Sequence, residues 1–333
     1  MRIQGIDIKE NYLEEYDPKL LQILLKDHSS NKNIIWATSD YESHGKYYKK
    51  TSRIFPKLIT GNKGEIIKPR IKKTDNQKTT RSHDSGEVFT PSWICNKQNN
   101  LIDKKWFNRD NIFNKENGEN WETNKNKILF PQEKTWQDYI LDTRLEITCG
   151  EAPYIVSRYD AVTGEFIEIT ERIGLLDRKL RIVSENTDNQ NDWLYWTKKS
   201  FENIYAYEFQ GDNLLLAREN ILFTFIDYFT QKFEKIPGSK LLYEIANIIS
   251  WNIFQMDGLK YVIPYSCKDE EIINTLFGPK KQGKPCIGCK KGHVDQHNGI
   301  YCKIKDWKTG KTIKFIDLIN EGENNDKNWG NWI

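Results

Sequence analysis

The sequence predicts an α/β fold built on a parallel sheet, and the tips of three strands predict it. Residues 145–155, Leu-Glu-Ile-Thr-Cys-Gly-Glu-Ala-Pro-Tyr-Ile, read as a buried strand that breaks into a glycine turn at Gly150. Residues 204–209 read as a second apolar strand that carries Glu208 near its end and runs into a helix. Residues 252–259 read as a third, shorter strand that closes on Asp257 and Gly258. A glycine turn after one strand and an acid at the tip of the next is how a parallel sheet builds a nucleoside site. The bare turn lets a ligand approach the backbone, and the carboxylate accepts hydrogen bonds from ribose hydroxyls.

With 333 residues the chain has room for two domains, or for one with large insertions. Apolar residues make up only 38%, but there are 11 Trp, 16 Tyr and 15 Phe, so aromatic rings carry much of the burial. The net charge of +3 places any affinity for nucleic acid in a local patch rather than over the whole surface. No apolar run reaches the roughly 18 residues of a membrane span. The start, Met1-Arg2-Ile3-Gln4-Gly5, lacks the apolar core of a signal peptide. A cytoplasmic location without a membrane partner is therefore expected, and the six cysteines read as thiols or metal ligands rather than disulfides.

Composition divides the chain into an N-terminal region (1–80), a sheet region (81–265) and a Cys/His-rich insertion with a last strand and a polar tail (266–333). Residues 3–8 predict a strand, 18–26 a helix with a wide leucine face, and 33–38 another strand. From Lys46 to Arg81 there are twelve lysines and arginines against Glu65 and Asp75, with Tyr47, Tyr48 and Phe55 between them. Basic groups neutralise phosphates and aromatic rings stack on bases, which makes Lys68, Arg70, Lys72 and Lys73 candidate nucleic-acid contacts. Composition alone fits a solvated lysine-rich loop equally well.

Thr90-Pro91 predicts a helix start, with the helix running to about Leu101. Residues 108–136 are polar and Asn-rich and predict a loop, and 136–141 a short helix. Helices are expected over 172–185, 193–205, 213–233 and 240–250. The 213–233 helix has the clearest 3.6-residue spacing, through Leu214, Leu215, Ala217, Ile221, Leu222 and Phe225. Residues 311–318 predict a strand, and 321–333 a polar tail with Trp329 and Trp332.

Cys286-x2-Cys289, with Cys302 thirteen residues on, has the ligand types and spacing of a structural zinc site. The expected set is Cys286, Cys289, Cys302 and one of Cys267, His293 or His297, with His293 in first place. Reduced cysteines in a Gly/Lys-rich loop are the simpler alternative.

The three strand tips together resemble the cofactor half of S-adenosylmethionine-dependent adenine-N6 DNA methyltransferases, the M subunits of restriction–modification systems. The family's Gly-x-Phe-Thr-Pro element, which contacts the methionine part of the cofactor, is similar to Gly86-Glu87-Val88-Phe89-Thr90-Pro91. Its Asp-Pro-x-Cys-Gly-x-Gly turn resembles Glu146-Ile147-Thr148-Cys149-Gly150-Glu151-Ala152. Its ribose acid and following helix resemble Glu208 and Leu216-Ala217-Arg218-Glu219-Asn220, and its adenine contact resembles Asp257-Gly258-Leu259.

The resemblance, over residues 81–265, implies a Rossmann-like methyltransferase sheet with an N-terminal extension and a Cys-rich insertion. It implies S-adenosylmethionine bound by Phe89, Thr90, Pro91, Glu146, Cys149, Gly150, Glu208, Asp257 and Leu259. DNA is the implied substrate, with companion restriction or specificity subunits as partners. The sequence departs from the family at Glu146, at Ala152 and in lacking the Asn/Asp-Pro-Pro-Tyr tetrapeptide that holds the flipped adenine. Methyl transfer to adenine N6 is the expected activity. The alternative is a non-catalytic subunit of the same fold that binds DNA or cofactor beside a catalytic partner.

Overall fold

The computed structural model describes residues 10–85, 87–275 and 278–324. The strand expected over 3–8, Gly86, and Trp329 and Trp332 of the tail lie outside them. The chain is mixed α/β, with helices packed on small sheets. Three short parallel strands form its centre: β1 (Arg144–Glu146), β2 (Ile204–Glu208) and β3 (Ile253–Gln255), in that spatial order. The register pairs Glu146 with Ala206 and Glu208 with Gln255, so all three strands end at one edge. Every residue of β2 is buried, as a central parallel strand covered on both faces requires.

The crossovers are helical. Leu175–Asn186 and Gln190–Glu202 join β1 to β2, while Gly211–Phe233 and Ser239–Asn252 join β2 to β3. The predicted apolar stripe of the Gly211–Phe233 helix is buried, and so are its polar residues Asp212, Asn213, Arg218, Glu219 and Asn220. A helix buried on so many sides needs internal partners for its polar groups. Arg218 finds them in backbone carbonyls of three segments. Its Nε donates to Ile253 O at 2.7 Å, Nη2 to Ser250 O at 3.1 Å, and Nη1 to Leu24 O and, at 3.0 Å, to Lys26 O. The N-terminal residues share one apolar core with the sheet, from Leu13 and Leu21 through Trp36 to Ala206 and Ile253. No described helix is long and apolar enough to cross a membrane.

Several elements differ from expectation. Of the strand expected over 33–38, only Asn33 is a strand residue, in Lys32–Asn33, with Ile35 in an isolated bridge to Arg53, because the segment is held by other loops rather than by a neighbouring strand. The helix after Pro91 runs Ser92–Phe107, a turn and a half beyond Leu101. The loop over 108–136 contains a hairpin, Asn114–Asn117 with Asn120–Thr123, turned by Gly118 at φ +62°. Asn117-Gly118 is a hairpin signal that the Asn-rich background masks. The strand expected over 311–318 covers only Thr312–Lys314, and it pairs antiparallel with Lys303–Lys305 instead of joining the parallel sheet. Phe315 starts a helix there, because Phe315, Leu318 and Ile319 at helical spacing face an apolar cluster with Tyr207, Phe254 and Met256. The glycine turn at Gly150 also does not open a helix; the next α-helix begins at Leu175.

Replacing Arg218 with Met keeps the volume and strips four carbonyls of their donor. Unpaired buried acceptors cost about 1–3 kcal/mol each, so urea unfolding of Arg218→Met is expected to show a loss of about 3 kcal/mol or more. A loss under about 1 kcal/mol would contradict this reading.

Candidate cofactor edge and metal centre

The carboxyl edge of the sheet is held together by the last residue of β2. Glu208 Oε2 accepts from Gly150 N at 2.8 Å, and Oε1 accepts from Gln210 N at 3.0 Å. Each oxygen keeps a further lone pair. Burial pushes the Glu208 carboxyl above its ordinary range, against the pull of these two donors. Gly150 takes φ +54°, a left-handed turn that suits glycine. The Phe89 ring stands 3.5 Å from where a Cβ on Gly150 would lie. Cys149 N donates to Tyr207 O at 3.0 Å, lacing the turn to β2, while burial raises its thiol far above the normal value.

Glu146, at the end of β1, is buried. Tyr154 N lies at a long 3.5 Å from its Oε1, and Oε2 has no hydrogen-bond partner. Burial therefore pushes this carboxyl well up. The structure thus brings Phe89, Glu146, Cys149, Gly150 and Glu208 to one edge. Thr90 and Pro91 lead into the Ser92 helix, whose first N–H donates to Asp160 Oδ2 at 2.6 Å. Asp257 lies two residues beyond β3; its Oδ1 accepts from Leu259 N at 3.1 Å and its Oδ2 faces Lys260 at 3.3 Å. Leu259 itself is exposed.

Backbone strain gathers at the same edge. Thr148 and Ala152 flank Gly150 with φ of +46° and +63°, and Tyr261 and Tyr265 follow β3 with +57° and +56°. Such conformations cost about 1–3 kcal/mol each and cluster where a ligand site needs them.

The basic window folds differently from its expected role. Lys73 is buried, with Nζ 3.5 Å from both Asp212 Oδ2 and Asn213 Oδ1. Arg70 reaches Glu87 O at 3.0 Å and Glu87 Oε1 at 3.3 Å, and its backbone N–H donates to Glu151 Oε1 at 2.6 Å. Both side chains are thus spent on internal acids rather than presented to phosphates; Lys68 is half-buried and Lys72 exposed. Arg81 completes the network, with Nε 2.6 Å from Glu87 Oε2 and Nη1 2.8 Å from Asp212 Oδ2. Burial opposes charge on Asp212, but Arg81 and Lys73 hold its carboxyl far below the usual range. Sequence reading missed Glu87, Arg81 and Asp212, because charge spacing in a loop says nothing about which way it folds.

Four ligand atoms converge in the Cys-rich segment: the thiols of Cys267, Cys286 and Cys289 and a nitrogen of His297, all within 4.8 Å of one another. This cluster could hold a metal ion. Two expected ligands are replaced. Cys302 is buried elsewhere, with Sγ 3.2 Å from Gln255 O of β3, and His293 stays exposed on the loop. Cys267 and His297 take their places because the 262–267 segment crosses beside the 297–301 loop, through the Val262–Tyr301 bridge and Ile263 N to Ile300 O at 2.8 Å. Gly288 permits the packing, since a Cβ there would lie 2.7 Å from the His297 ring. Although burial opposes it, N–H groups of Asn298 and Cys289 and the His297 ring hold the Cys286 thiol down at about 6, the thiolate form a metal needs.

No protein-family model, curated protein or solved structure matches this chain.

Glu146 fixes a pH signature. Its folded state keeps a proton that the unfolded chain has lost, so the associated stability is full at acid pH. It is lost as pH rises from the ordinary carboxylate range through the raised folded value. Glu146→Gln does not titrate. Its stability advantage over the wild type should grow between about pH 5 and pH 8 in urea melts. An equal gap at both pH values would refute the assignment.

Proposed function

We propose that this chain binds S-adenosylmethionine at the carboxyl edge of its parallel sheet and serves methyl transfer to adenine N6 in DNA, as a Rossmann-like methyltransferase of a restriction–modification or related defence system. The observation that carries this reading is the Glu208 carboxylate at the β2 tip, hydrogen-bonded to Gly150 N. Two backbone donors fix its orientation and leave a lone pair on each oxygen for the two ribose hydroxyls. The unpartnered Oε2 of Glu146 supports a donor such as the cofactor's amino group beside the turn. Phe89 would cover the turn, and Asp257 would exchange its exposed Lys260 contact, worth little in water, for the adenine amine. The bound sulfonium would supply the methyl group; the chain supplies position, which is most of the catalysis in such transfers.

For the Cys267, Cys286, Cys289 and His297 cluster the proposed ion is zinc. His297 Nδ1 lies 3.5, 3.5 and 3.6 Å from the three sulfurs. A tetrahedron with the usual Zn–S and Zn–N bond lengths has N···S edges of about 3.6 Å. Four protein ligands leave no open position, so the ion's role is structural.

Two measurements test these readings. Calorimetry should show S-adenosylmethionine binding that Glu208→Ala weakens at least about tenfold, and labelled methyl should pass to adenine in DNA. Binding without transfer by the pure chain would make it the cofactor-binding partner of a catalytic subunit; absence of binding would end the proposal. Purified protein should carry about one zinc per chain. Cys267→Ser or His297→Ala should lose it, while Cys302→Ala and His293→Ala should keep it.

A further inference from the structure

We infer that residues 46–50, together with Tyr265, form a stacking platform for an unpaired stretch of nucleic acid beside the cofactor edge. Tyr47 is 58% exposed and Tyr265 48% exposed. Each ring carries its own lysine, with Lys46 Nζ 5.0 Å from the Tyr47 centroid and Lys50 Nζ 5.1 Å from that of Tyr265. Lys49 between them is exposed as well. A ring that offers a face to a base, paired with an ammonium that meets the adjoining phosphate, is the sequence-tolerant chemistry of single-strand recognition.

The rings are held in place. Tyr265 sits at φ +56°, a rare conformation for an aromatic residue, and packs edge-on against Phe209 at 5.7 Å. Phe209 immediately follows Glu208, which puts the platform next to the strand tip. On the other side, Trp36 Nε1 donates to Tyr47 O at 3.2 Å and Ala37 N donates to Lys50 O at 2.9 Å. Nearby acids are already engaged: Glu42 Oε1 accepts from Lys50 N at 3.2 Å, and Asp40 Oδ2 faces Arg81 at 2.6 Å. The platform takes over the role that the sequence assigned to Arg70 and Lys73, whose charges turn inward. It rests on the proposed cofactor reading only for why a base would be brought to that edge.

Fluorescence anisotropy on the full chain tests it, with a labelled single strand of about 16 nucleotides, the matching duplex, and heparin as a polyanion without bases. The strand should bind more tightly than the duplex. Tyr265→Ala and Tyr47→Ala should each weaken strand binding about tenfold, Tyr265→Phe should bind as the wild type does, and a K46Q/K50Q double variant should flatten the salt slope by about 1.4. S-adenosylmethionine affinity should stay unchanged in all four. Wild-type strand affinity in both Ala variants, or heparin binding as tightly as the strand, would overturn the platform. Ring-dependent strand binding without cofactor binding would leave the platform standing and remove the cofactor reading.

Discussion

A guanidinium that forms no ion pair among the described residues, with the Asp27 charge only nearby, organises this molecule. Arg218 sits wholly inside, and burial lowers its pKa to about 10, yet carbonyl oxygens surround it. Those oxygens belong to the N-terminal helix end, the last turn of Ser239–Asn252 and the first residue of β3. A buried cation is tolerable only if its donors are filled. Filling them from three separate segments fixes where the N-terminal region, the crossover helix and the third strand lie relative to one another. Gln255 adds to this from the same strand. Its amide bonds Ile35 N at 2.9 Å and Ile35 O at 2.8 Å, so a side chain replaces a ladder rung between β3 and the N-terminal segment.

The same constraint explains the polar closure above the sheet edge. With its buried end at the N-terminal region, the Gly211–Phe233 helix must also bury Asp212 and Asn213 at its start. Their partners come from the basic window: Arg81, Lys73 and, through Glu87, Arg70. Low local dielectric strengthens such a network when every member is paired. It also converts what composition suggests is a nucleic-acid patch into an internal brace. The lysines of the 46–50 turn, like Lys57 and Lys72, stay outside; the turn's backbone is pinned while Lys46, Tyr47, Lys49 and Lys50 face water.

The Cys-rich segment is not an independent appendage. Asp257 N bonds Val262 O at 2.8 Å, Cys302 N bonds Tyr261 O at 3.0 Å, and Cys302 Sγ reaches Gln255 O. The Cys/His cluster and the tip of β3 are thus two ends of one short stretch of chain.

The sequence by itself determined the three strands, their acids, the major helices and the cysteine pair, because those signals are local: apolar spacing, a glycine turn, a Cys-x2-Cys. It also determined that Gly150 and Glu208 belong together, since consecutive parallel strands with helical crossovers end at one edge. Only the tertiary structure decided which side chains complete the Cys/His cluster, which lysines face inward, and that Thr312–Lys314 turns away from the sheet. Each of these depends on which distant segment a side chain meets. Cys267 and Cys302 lie at comparable distances along the chain from the Cys286–Cys289 pair, and only the chain crossing at Val262 and Tyr301 separates them. Burial and pairing are settled in space, where linear spacing carries no information.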